Sequence, residues 1–312
     1  CDVVTIEIEN VSIEALKRLE ADGVKVFPQP HVLEMVKDKG TQKQFYRDHN
    51  LPTADFMLVE NKAEAAANSD FFPVMQKMRV GGYDGKGVTP LASEADLETA
   101  FDAPCVLEKW VTNAKEYAVL VSRSERGEVK SFPLVELVFN PEANLVDYLV
   151  SPARVEKRVE EEAREMAEKL IADLEMVGLL AVELFLTEDG QVLINEIAPR
   201  PHNSGHQTIE GNFVSQYDIH LRAILNWPLG DTSLRSAAAM INLLGEKGHE
   251  GKVHYQGLAE AIEMTGVYPH MYATALTTLL SVGGDVSVYA ETPEEALEKA
   301  QKTKEMIKVI SK

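Results

Sequence analysis

The sequence predicts an α/β (α+β) fold in three parts, and the spacing of its apolar residues supports each part. Residues 1–35 follow the order strand, helix, strand, which is the order of a βαβ unit. Residues 36–230 mix amphipathic helices with strands and include two strands joined by a hairpin signal. Residues 231–312 hold short strands separated by glycine-rich connections, so we expect a small C-terminal β-rich module there.

The individual elements follow from the same patterns, because alternating apolar residues predict strands and helical spacing predicts helices. The predicted strands are 3–9, 24–27, 73–80, 106–111, 116–122, 130–137, 179–186, 191–197, 237–244 and 285–289. The predicted helices are 12–20, 37–50, 60–68 and 159–177, the last with Gly178 as its C′ residue, and a closing helix with Thr292 as N-cap, Pro293 at N1 and Glu295 at N3.

Composition and charge exclude several classes of protein. The 45% hydrophobic and 26% charged fractions are those of an ordinary globular chain and not of a disordered one. The net charge of −19 repels a phosphate backbone, so we expect no nucleic-acid partner, and any anionic substrate must meet a local cluster of cations. No apolar run reaches the roughly 18 residues that span a bilayer, so we expect no membrane partner either.

The cysteines and the first residues lead to two further expectations. Only two cysteines occur, Cys1 and Cys105, and neither has metal-ligand spacing, which predicts reduced thiols in a cytoplasmic protein. The first nine residues are typical of a strand already in progress and contain no initiator methionine. We therefore expect the chain to be truncated or processed at its N-terminus.

A glycine-rich loop follows the strand that carries Lys77. Its sequence, Gly81-Gly82-Tyr83-Asp84-Gly85-Lys86-Gly87, combines four glycines with a lysine. Backbone N–H groups without bulky neighbours can approach phosphate oxygens, and Lys77 and Lys86 would supply positive charge. The loop is neither a Walker A loop nor a dinucleotide fingerprint, so a plain glycine turn remains the alternative at this point.

Two glutamates of the predicted hairpin are candidates for a metal site. Pairing about the centre of the turn sets Glu183 opposite Ile194 and makes Glu196 its diagonal neighbour, about 7–8 Å away. Carboxylates at that separation can share Mg²⁺ with nucleotide phosphates, whereas alternation points Asn195 to the opposite face. A solvated hairpin with surface acids is the alternative, although the apolar neighbours predict burial, and buried acids need partners.

A stiff segment follows the second hairpin strand, with Pro199 and Pro201 on either side of Arg200. It presents Arg200, His202 and His206 beside the acidic pair. A guanidinium there could clamp an acyl phosphate, and a histidine could move protons near neutral pH. The alternative is that the histidines only cap the following helix.

An adenine-binding edge is predicted at Glu108-Lys109-Trp110-Val111, followed by Glu116. An extended edge offers backbone N–H and C=O groups to an adenine ring, and a carboxylate several residues later can accept hydrogen bonds from ribose hydroxyls. Taken alone, the pattern also fits an ordinary strand.

Taken together and in this order, these motifs resemble those of the N5-carboxyaminoimidazole ribonucleotide synthetases, a family of the ATP-grasp superfamily. The resemblance covers nearly the whole chain and rests on residues 5–9, the 82–87 loop, the Pro201-His202-Asn203-Ser204-Gly205-His206 motif and Pro228-Leu229-Gly230. It implies an ATP-grasp fold for the middle part of the chain. For the first part it implies the remnant of an N-terminal α/β domain, the pre-ATP-grasp domain.

The resemblance also implies an activity, that of an ATP-dependent carboxylate–amine ligase of purine biosynthesis. ATP would phosphorylate bicarbonate to carboxyphosphate, and the exocyclic amine of 5-aminoimidazole ribonucleotide would capture the carboxyl group, with release of ADP and phosphate. The cofactors would be ATP and Mg²⁺, or Mn²⁺ in its place, and a homodimer is the expected state.

Individual residues take their expected roles from the same resemblance. Arg200, His202 and Lys86 would be catalytic, and Glu183 and Glu196 would hold the metal. The residues implied to bind the nucleotide are Lys39, Lys77, Gly82, Tyr83, Asp84, Gly85, Lys86, Gly87, Glu108, Lys109, Trp110, Val111, Glu116, Asn195 and Glu196. Those implied to bind bicarbonate, carboxyphosphate or the imidazole substrate are Glu9, Tyr83, Lys86, Arg200 and His202.

Two departures from the family pattern concern the acceptor substrate. The family begins with a glycine-rich strand-turn-helix unit, and this chain has no counterpart of it. The cationic run that binds substrate phosphate in the family is replaced by Tyr272 to Asp285, with Thr274, Ser281 and Val282 at the cation positions and Asp285 at that of the histidine. Each charged hydrogen bond lost would weaken binding by about 1.5–3 kcal/mol.

Two other functions remain open at this stage. A catalytically impaired relative would bind nucleotide and act as a structural or regulatory partner. A ligase with another acceptor, such as a formate-using glycinamide ribonucleotide enzyme, is disfavoured by the histidine motif at 202–206.

Overall fold

The computed structural model describes residues 1–82, 87–140, 145–272, 275–279 and 281–312. The strands are β1 (Val3–Thr5), β2 (Lys25–Phe27), β3 (Phe56–Val59), β4 (Val74–Met78), β5 (Val88–Leu91), β6 (Cys105–Lys109), β7 (Lys115–Arg123), β8 (Val129–Ser131), β9 (Val135–Asn140), β10 (Leu145–Ser151), β11 (Gly178–Leu186), β12 (Val192–Ala198), β13 (Ala237–Leu244), β14 (Gly251–Gln256), β15 (Val267–Met271), β16 (Leu276–Thr277), β17 (Val282–Ala290) and β18 (Lys308–Ser311). The α-helices are α1 (Ile13–Ala21), α2 (Pro30–Lys37), α3 (Lys39–Asp48), α4 (Lys62–Ala67), α5 (Lys157–Asp173), α6 (Thr208–Gly211), α7 (Gln216–Ile224), α8 (Leu258–Ala261) and α9 (Pro293–Met306). Short 3₁₀ helices cover Ser69–Phe71, Glu94–Thr99 and Asn203–Gly205.

A nine-stranded sheet forms the centre of the fold, with the order β12-β11-β7-β9-β10-β13-β17-β15 and with β8 paired to β7. Helix α5 covers one face of it, and its Ala167 and Leu170 share a buried cluster with Val119 and Val121 of β7. The pairing of β10 with β13 carries the sheet across residue 230. Strands β13, β17 and β15 therefore extend the central sheet, whereas β16, β14 and β18 form a separate three-stranded sheet. The domain boundaries stay predictions.

A separate antiparallel sheet of four strands has the order β3-β6-β4-β5. Its buried core contains Val59, Val74, Leu91 and Leu107. This sheet and the nine-stranded sheet border one cavity, which holds most of the candidate site. The mixed α and β architecture predicted from the sequence is confirmed.

The βαβ order predicted for the start of the chain is also confirmed. Strands β1 and β2 pair in parallel, and α1 joins them with Ser12 as its N-cap, which accepts the Ala15 N–H. The first strand is shorter than predicted and ends at Thr5. An additional helix, α2, follows β2, with Pro30 in its first turn.

Two predictions for the middle of the chain are wrong in detail. The predicted strand 130–137 is two strands, β8 and β9, which pair with successive segments of β7. Pro133 lies between them and has no N–H to donate to the ladder. Helix α5 ends at Asp173 and is followed by a left-handed residue, Glu175 (φ 49°), so Gly178 begins β11 and does not cap the helix.

The hairpin of β11 and β12 has a different register from the predicted one. The expected partner of Glu183 is Ile194, but Ile194 pairs with Leu184. Beyond that pair a β-bulge sets Asn195 and Glu196 of β12 against Glu183 alone. The prediction that Asn195 points away from Glu196 is therefore wrong, and both side chains line the same cavity.

The C-terminal helix begins as its capping signal predicts. Helix α9 has Pro293 in its first turn, and the Thr292 hydroxyl accepts the Glu295 N–H (3.2 Å). Across the described ranges, no helix combines the length and apolar character needed to cross a membrane.

His220 of α7 ties the N-terminal unit to the rest of the fold. Its Nδ1 accepts the Leu179 N–H (3.2 Å), so the ring proton lies on Nε2, which is 2.8 Å from Thr5 Oγ1. Burial lowers the pKa of His220 to about 4. The folded chain therefore keeps this imidazole neutral at pH values where a free histidine is charged.

We expect His220 to make the folded chain less stable below about pH 6.5. In the unfolded chain its pKa returns to about 6.5, so its contribution is complete above that pH and is lost progressively as the pH falls toward 4. The full difference corresponds to about 3 kcal/mol. Urea unfolding of the wild type and of His220→Gln at pH 7 and pH 4.5 checks this. The variant should lose less stability on acidification, and an equal loss in both proteins would contradict the assignment.

Candidate active site

The two sheets border a cavity of about 630 Å³. The four-stranded sheet contributes side chains of β4 and β6, and the nine-stranded sheet contributes side chains of β7, β11 and β12. The predicted site residues that line the cavity are Lys77, Glu108, Lys109, Trp110, Val111, Glu116, Glu183, Asn195, Glu196 and His202. Residues from distant parts of the sequence thus meet in one place.

For most of the remaining walls of the cavity the sequence contains no signal, although Val282 and Asn203 belong to segments that the resemblance had singled out. The apolar wall residues are Met75, Val88, Pro90, Phe139, Val146, Phe185 and Val282. Asn203 and Asn242 also line it and are joined by a hydrogen bond from Asn203 Nδ2 to Asn242 Oδ1 (2.9 Å). Apolar residues on strands look alike whether they face a core or a ligand, which is why these walls were invisible in the pattern.

Glu183 and Glu196 lie close together in the cavity because of the β-bulge. Burial raises the pKa of Glu183, and the like charges of Glu196 and Glu116 raise it further. Burial also acts to raise the pKa of Glu196, but its ion pair with Lys39 holds that pKa below the usual value. The Glu196 side chain is 47% exposed, and it lines the cavity. Such a pair of acids would be stabilised by a cation.

A buried ion cluster, formed by Lys43, Glu108 and Lys77, adjoins the acids. Glu108 is 3% exposed, and its two carboxylate oxygens lie 2.9 Å from Lys77 Nζ and 2.5 Å from Lys43 Nζ. Burial alone would raise the pKa of Glu108, but the two lysines hold it below its usual value. Lys77 Nζ also donates to Asn195 Oδ1 (3.2 Å), which links the cluster to the bulge.

Lys43 is the functional candidate that the sequence prediction missed. It follows Lys39 by four residues on α3, so the two lysines share one face of that helix. This spacing is the signal that could have pointed to it.

Two backbone N–H groups of the predicted adenine-binding edge are already hydrogen-bonded within the protein. The Lys109 N–H donates to Asp55 O (2.7 Å), and the Trp110 N–H donates to Pro73 O (3.4 Å). The Glu108 carboxylate faces lysines, as described above. Trp110, whose side chain is exposed, and Val111 follow the end of β6 and line the cavity together with Glu108 and Lys109.

Arg200 and Glu9, both predicted for the acceptor site, form an ion pair with Arg200 Nε 2.7 Å from Glu9 Oε1. His202 lies beside the acids, with Nε2 3.8 Å from Glu183 Oε1. Its Nδ1 accepts the Ser204 N–H and so caps the short 3₁₀ helix. Nδ1 of His202 thus caps the 3₁₀ helix, whereas Nε2 of the same ring lies beside the acids.

The expectation that a histidine of this segment moves protons near neutral pH stays a prediction, and the surroundings of His202 favour its neutral form. Burial lowers its pKa to about 4, and the neighbouring Arg200 contributes to that shift. Because Nδ1 accepts a hydrogen bond, the neutral ring carries its proton on Nε2. His202 therefore offers a hydrogen-bond donor toward the acids and the cavity.

A buried glutamine holds the segment that carries His202. Gln216 Oε1 accepts the His202 N–H (2.8 Å), and its Nε2 donates to His202 O (3.0 Å) and lies 2.9 Å from His206 Nδ1. A Cβ atom on Gly205 would lie 2.5 Å from Gln216 Oε1. A side chain at position 205 would therefore displace Gln216 from this position.

The base of the glycine loop lies next to Lys77. Gly87 has φ +77°, and a Cβ there would lie 3.1 Å from Gly82 Cα. Its carbonyl accepts the Met78 N–H (2.8 Å), which continues the pairing of β4 with β5. The other predicted loop residues, Tyr83, Asp84, Gly85 and Lys86, lie outside the described residues.

The strand that departs from the family pattern lies at the same cavity. Val282 lines it, and Ser281 Oγ donates to Thr278 O (2.9 Å). Asp285 is 2% exposed and accepts the Tyr272 hydroxyl (2.9 Å), and burial raises its pKa to about 6. Thr274 lies outside the described residues.

Fold and site together define an ATP-grasp protein. Residues 44–217 match the family model described as ATP-grasp domain, and residues 1–37 match that described as ribonucleotide synthetase preATP-grasp domain. The chain is 38% identical over 252 residues to the N5-carboxyaminoimidazole ribonucleotide synthase of Bacillus subtilis, which covers 79% of this chain and 66% of that one.

Two solved structures narrow the class. The N5-carboxyaminoimidazole ribonucleotide synthetase of Thermotoga maritima is 40% identical with a TM-score of 0.90, and the match covers 100% of this chain and 82% of that one. The Aspergillus clavatus synthase, in complex with ADP and 5-aminoimidazole ribonucleotide, is 32% identical with a TM-score of 0.88, over 98% and 81%. The chain belongs to the N5-carboxyaminoimidazole ribonucleotide synthetase family. It spans 50% and 66% of the length of the first two curated relatives that it matches.

Proposed function

We propose that this chain is an ATP-dependent ligase of purine biosynthesis that carboxylates 5-aminoimidazole ribonucleotide with bicarbonate, giving N5-carboxyaminoimidazole ribonucleotide, ADP and phosphate. The observation that carries the proposal is the pair Glu183 and Glu196 beside Lys39 and Lys77 where the two sheets meet. Family membership supports it, and so does the complex of the Aspergillus clavatus relative with ADP and 5-aminoimidazole ribonucleotide.

ATP would lie along the cavity with its adenine at the end of β6 and its ribose hydroxyls at Glu116. Its phosphates would reach Lys39, Lys77 and the 82–87 loop. Burial acts to lower the pKa of Lys77, but Glu108 holds it above the ordinary value, so the ammonium stays charged. A permanently charged group suits a phosphate ligand.

Glu183 and Glu196 would hold the divalent metal, Mg²⁺ or Mn²⁺ in its place. Their fit to such an ion rests on hard oxygen donors and on the like charges that raise the pKa of Glu183. In the part of the chain that the structure describes, no three His, Cys, Asp or Glu side chains form a complete metal cage. Mg²⁺ commonly takes one or two carboxylates together with substrate phosphates. When bound, the metal would neutralise charge on the phosphoryl group.

The bond changes need positioning more than strong acids or bases. A bicarbonate oxygen attacks the γ-phosphorus as ADP leaves, and the amine nitrogen then attacks the carboxyl carbon as phosphate and one amine proton leave. Arg200, oriented by Glu9, would hold bicarbonate and carboxyphosphate by charge, and His202 would donate from Nε2. Lys86 would add a further charge, with Tyr83 near the imidazole.

ATP turnover that depends on both co-substrates tests the proposal. ADP release should require bicarbonate and 5-aminoimidazole ribonucleotide together, and ¹³C-bicarbonate should label the carboxylated product in an NMR spectrum. Hydrolysis indifferent to both compounds would refute the proposed reaction. Binding of Mg-ATP without turnover in their presence would instead point to a catalytically impaired relative.

We also propose that the chain acts as a homodimer in the cytoplasm. Association is supported by large exposed apolar side chains on and beside α7, namely Phe213, Tyr217, Leu221, Leu225 and Trp227. A reducing compartment is supported by the two free cysteines. Sedimentation velocity that finds only monomers at micromolar concentration would rule out the dimer, and recovery of the intact protein from another cell fraction would rule out the location.

A further inference from the structure

Lys43 contacts several parts of the site without lining the large cavity. Its side chain is 4% exposed on α3, and its Nζ lies 2.5 Å from Glu108 Oε2 on β6. The same ammonium donates to Thr53 Oγ1 (2.5 Å) in the connection between α3 and β3. The space that it borders is a void of about 10 Å³, which holds at most one water. Lys43 therefore has no room to touch a nucleotide.

One chain of contacts leads from Lys43 to the phosphate side of the cavity. Glu108 receives Lys43 on one carboxylate oxygen and Lys77 on the other (2.9 Å). Lys77 Nζ then donates to Asn195 Oδ1 (3.2 Å). The position of the Lys77 ammonium is thus set by a carboxylate that Lys43 shares.

A second chain of contacts leads from Lys43 to the metal side. Thr53 Oγ1, which accepts from Lys43, donates to Ile194 O (2.7 Å). The Ile194 N–H donates to Pro52 O (2.8 Å), so the same connection holds both polar backbone groups of Ile194. Ile194 directly precedes the bulge that presents Asn195 and Glu196.

We propose that Lys43 is a positioning residue for the nucleotide and its metal, acting on Lys77 through Glu108 and on the bulge of β12 through Thr53. This inference rests on the proposed function of the cavity. Without Lys43, the Glu108 carboxylate would be balanced by Lys77 alone and would draw that ammonium away from the phosphates. A purely structural ion cluster would alter stability and leave nucleotide affinity unchanged.

The charge of Lys43 at neutral pH is consistent with this role. Burial lowers its pKa to about 8, against the raising effect of Glu108, and the nearby Lys77 and Lys39 lower it further. Tyr46 lies beside it, with the ring centroid 5.9 Å from Nζ. At pH 7 the ammonium form therefore still predominates.

Lys43→Met removes the charge and nearly keeps the length of the side chain. The dissociation constant of Mg-ADP, measured by calorimetry, should rise about 10-fold, the size of effect seen when groups that support a ligand's direct contacts are lost. The KM for ATP should rise in parallel. Lys43→Arg keeps the charge and should restore most of the affinity. Arg47→Met, which removes the charge of a 62% exposed side chain near the end of the same helix, should leave both values unchanged.

Thr53→Val provides a second test that perturbs the buried ion cluster less, because valine has nearly the same shape as threonine. It removes one hydroxyl at constant shape and should raise the dissociation constant of Mg-ADP about 3-fold, the value of one modest hydrogen bond. Wild-type Mg-ADP affinity in a folded Lys43→Met protein, or in Thr53→Val if Lys43→Met does not fold, overturns the inference. The Mg-ADP binding measurement needs no 5-aminoimidazole ribonucleotide. A wild type that binds Mg-ADP but does not carboxylate this substrate therefore refutes only the proposed reaction. A wild type that does not bind Mg-ADP overturns both.

Discussion

Replacing Glu196 by glutamine is expected to lower kcat for ATP turnover by about 10²–10³-fold, the loss typical of one charge-stabilising group in a polar active site. Glutamine keeps the shape of the side chain and removes the negative charge. The metal would then be left with Glu183 as its sole carboxylate from this pair, and Lys39 would lose its ion-pair partner. Glu183→Gln should have a comparable effect, because it removes the other acid of the pair.

The activity measurements should be made over a range of Mg²⁺ concentrations. In both variants the Mg²⁺ concentration that gives the half-maximal rate should rise, since each removes one proposed metal ligand. Glu188→Gln is the matched control, because Glu188 lies in the turn of the same hairpin, is exposed and contacts Asn113 Nδ2 (3.2 Å). A Glu196→Gln enzyme within about 3-fold of the wild type at saturating Mg²⁺ would show that this carboxylate is not a metal ligand.

Glu108→Gln is expected to lower the free energy of unfolding by about 3–5 kcal/mol, the usual result of removing one partner from a buried ion pair. Glu108 is 3% exposed and is the shared partner of two lysine ammonium groups. Without its charge, Lys43 and Lys77 repel each other with no carboxylate between them. Lys43 would then lose its proton more readily, because Glu108 no longer opposes the effect of burial on its pKa, and this limits the loss.

Urea unfolding at pH 7 measures this loss directly. Glu60→Gln is the control, because Glu60 is a 62% exposed acid of the same sheet region, 3.9 Å from Arg79, and its removal should change stability by less than about 0.5 kcal/mol. The double variant Glu108→Leu with Lys43→Met should recover part of the stability, since it replaces two buried charges by apolar groups. A Glu108→Gln protein as stable as the control would mean that the cluster is solvated.

The sequence predicts that any anionic substrate of this chain, whose net charge is −19, must meet a local cluster of cations. Lys39 is paired with Glu196, and both Lys43 and Lys77 are paired with Glu108. The three lysines of the described site are therefore all ion-paired with glutamates, and Glu183 and Glu116 add further negative charge. A triphosphate has to bring a counter-ion with it, which is the physical reason for expecting metal dependence.

The elements that the sequence located best are those whose pattern is strong and local. Strand β13 has the predicted bounds 237–244, and α9 begins at Pro293 behind its Thr292 cap. The predictions are wrong where contacts with residues distant in the sequence determine the local structure. The bulge in β12 follows Ile194, whose backbone pairs with the Pro52-Thr53 connection, and no pattern within the hairpin contains that partner.

By itself, the sequence determined the mixed fold class, the order of the main motifs and which acids, lysines and histidines are candidates, because helix and strand periods and capping residues act over a few neighbours. Only the tertiary structure decided that Glu9 pairs with Arg200, that Asn195 shares a cavity with Glu196, and that Lys43 shares Glu108 with Lys77. Those pairings join elements far apart in the chain. They depend on which faces of packed elements meet, and local periodicity does not carry that information.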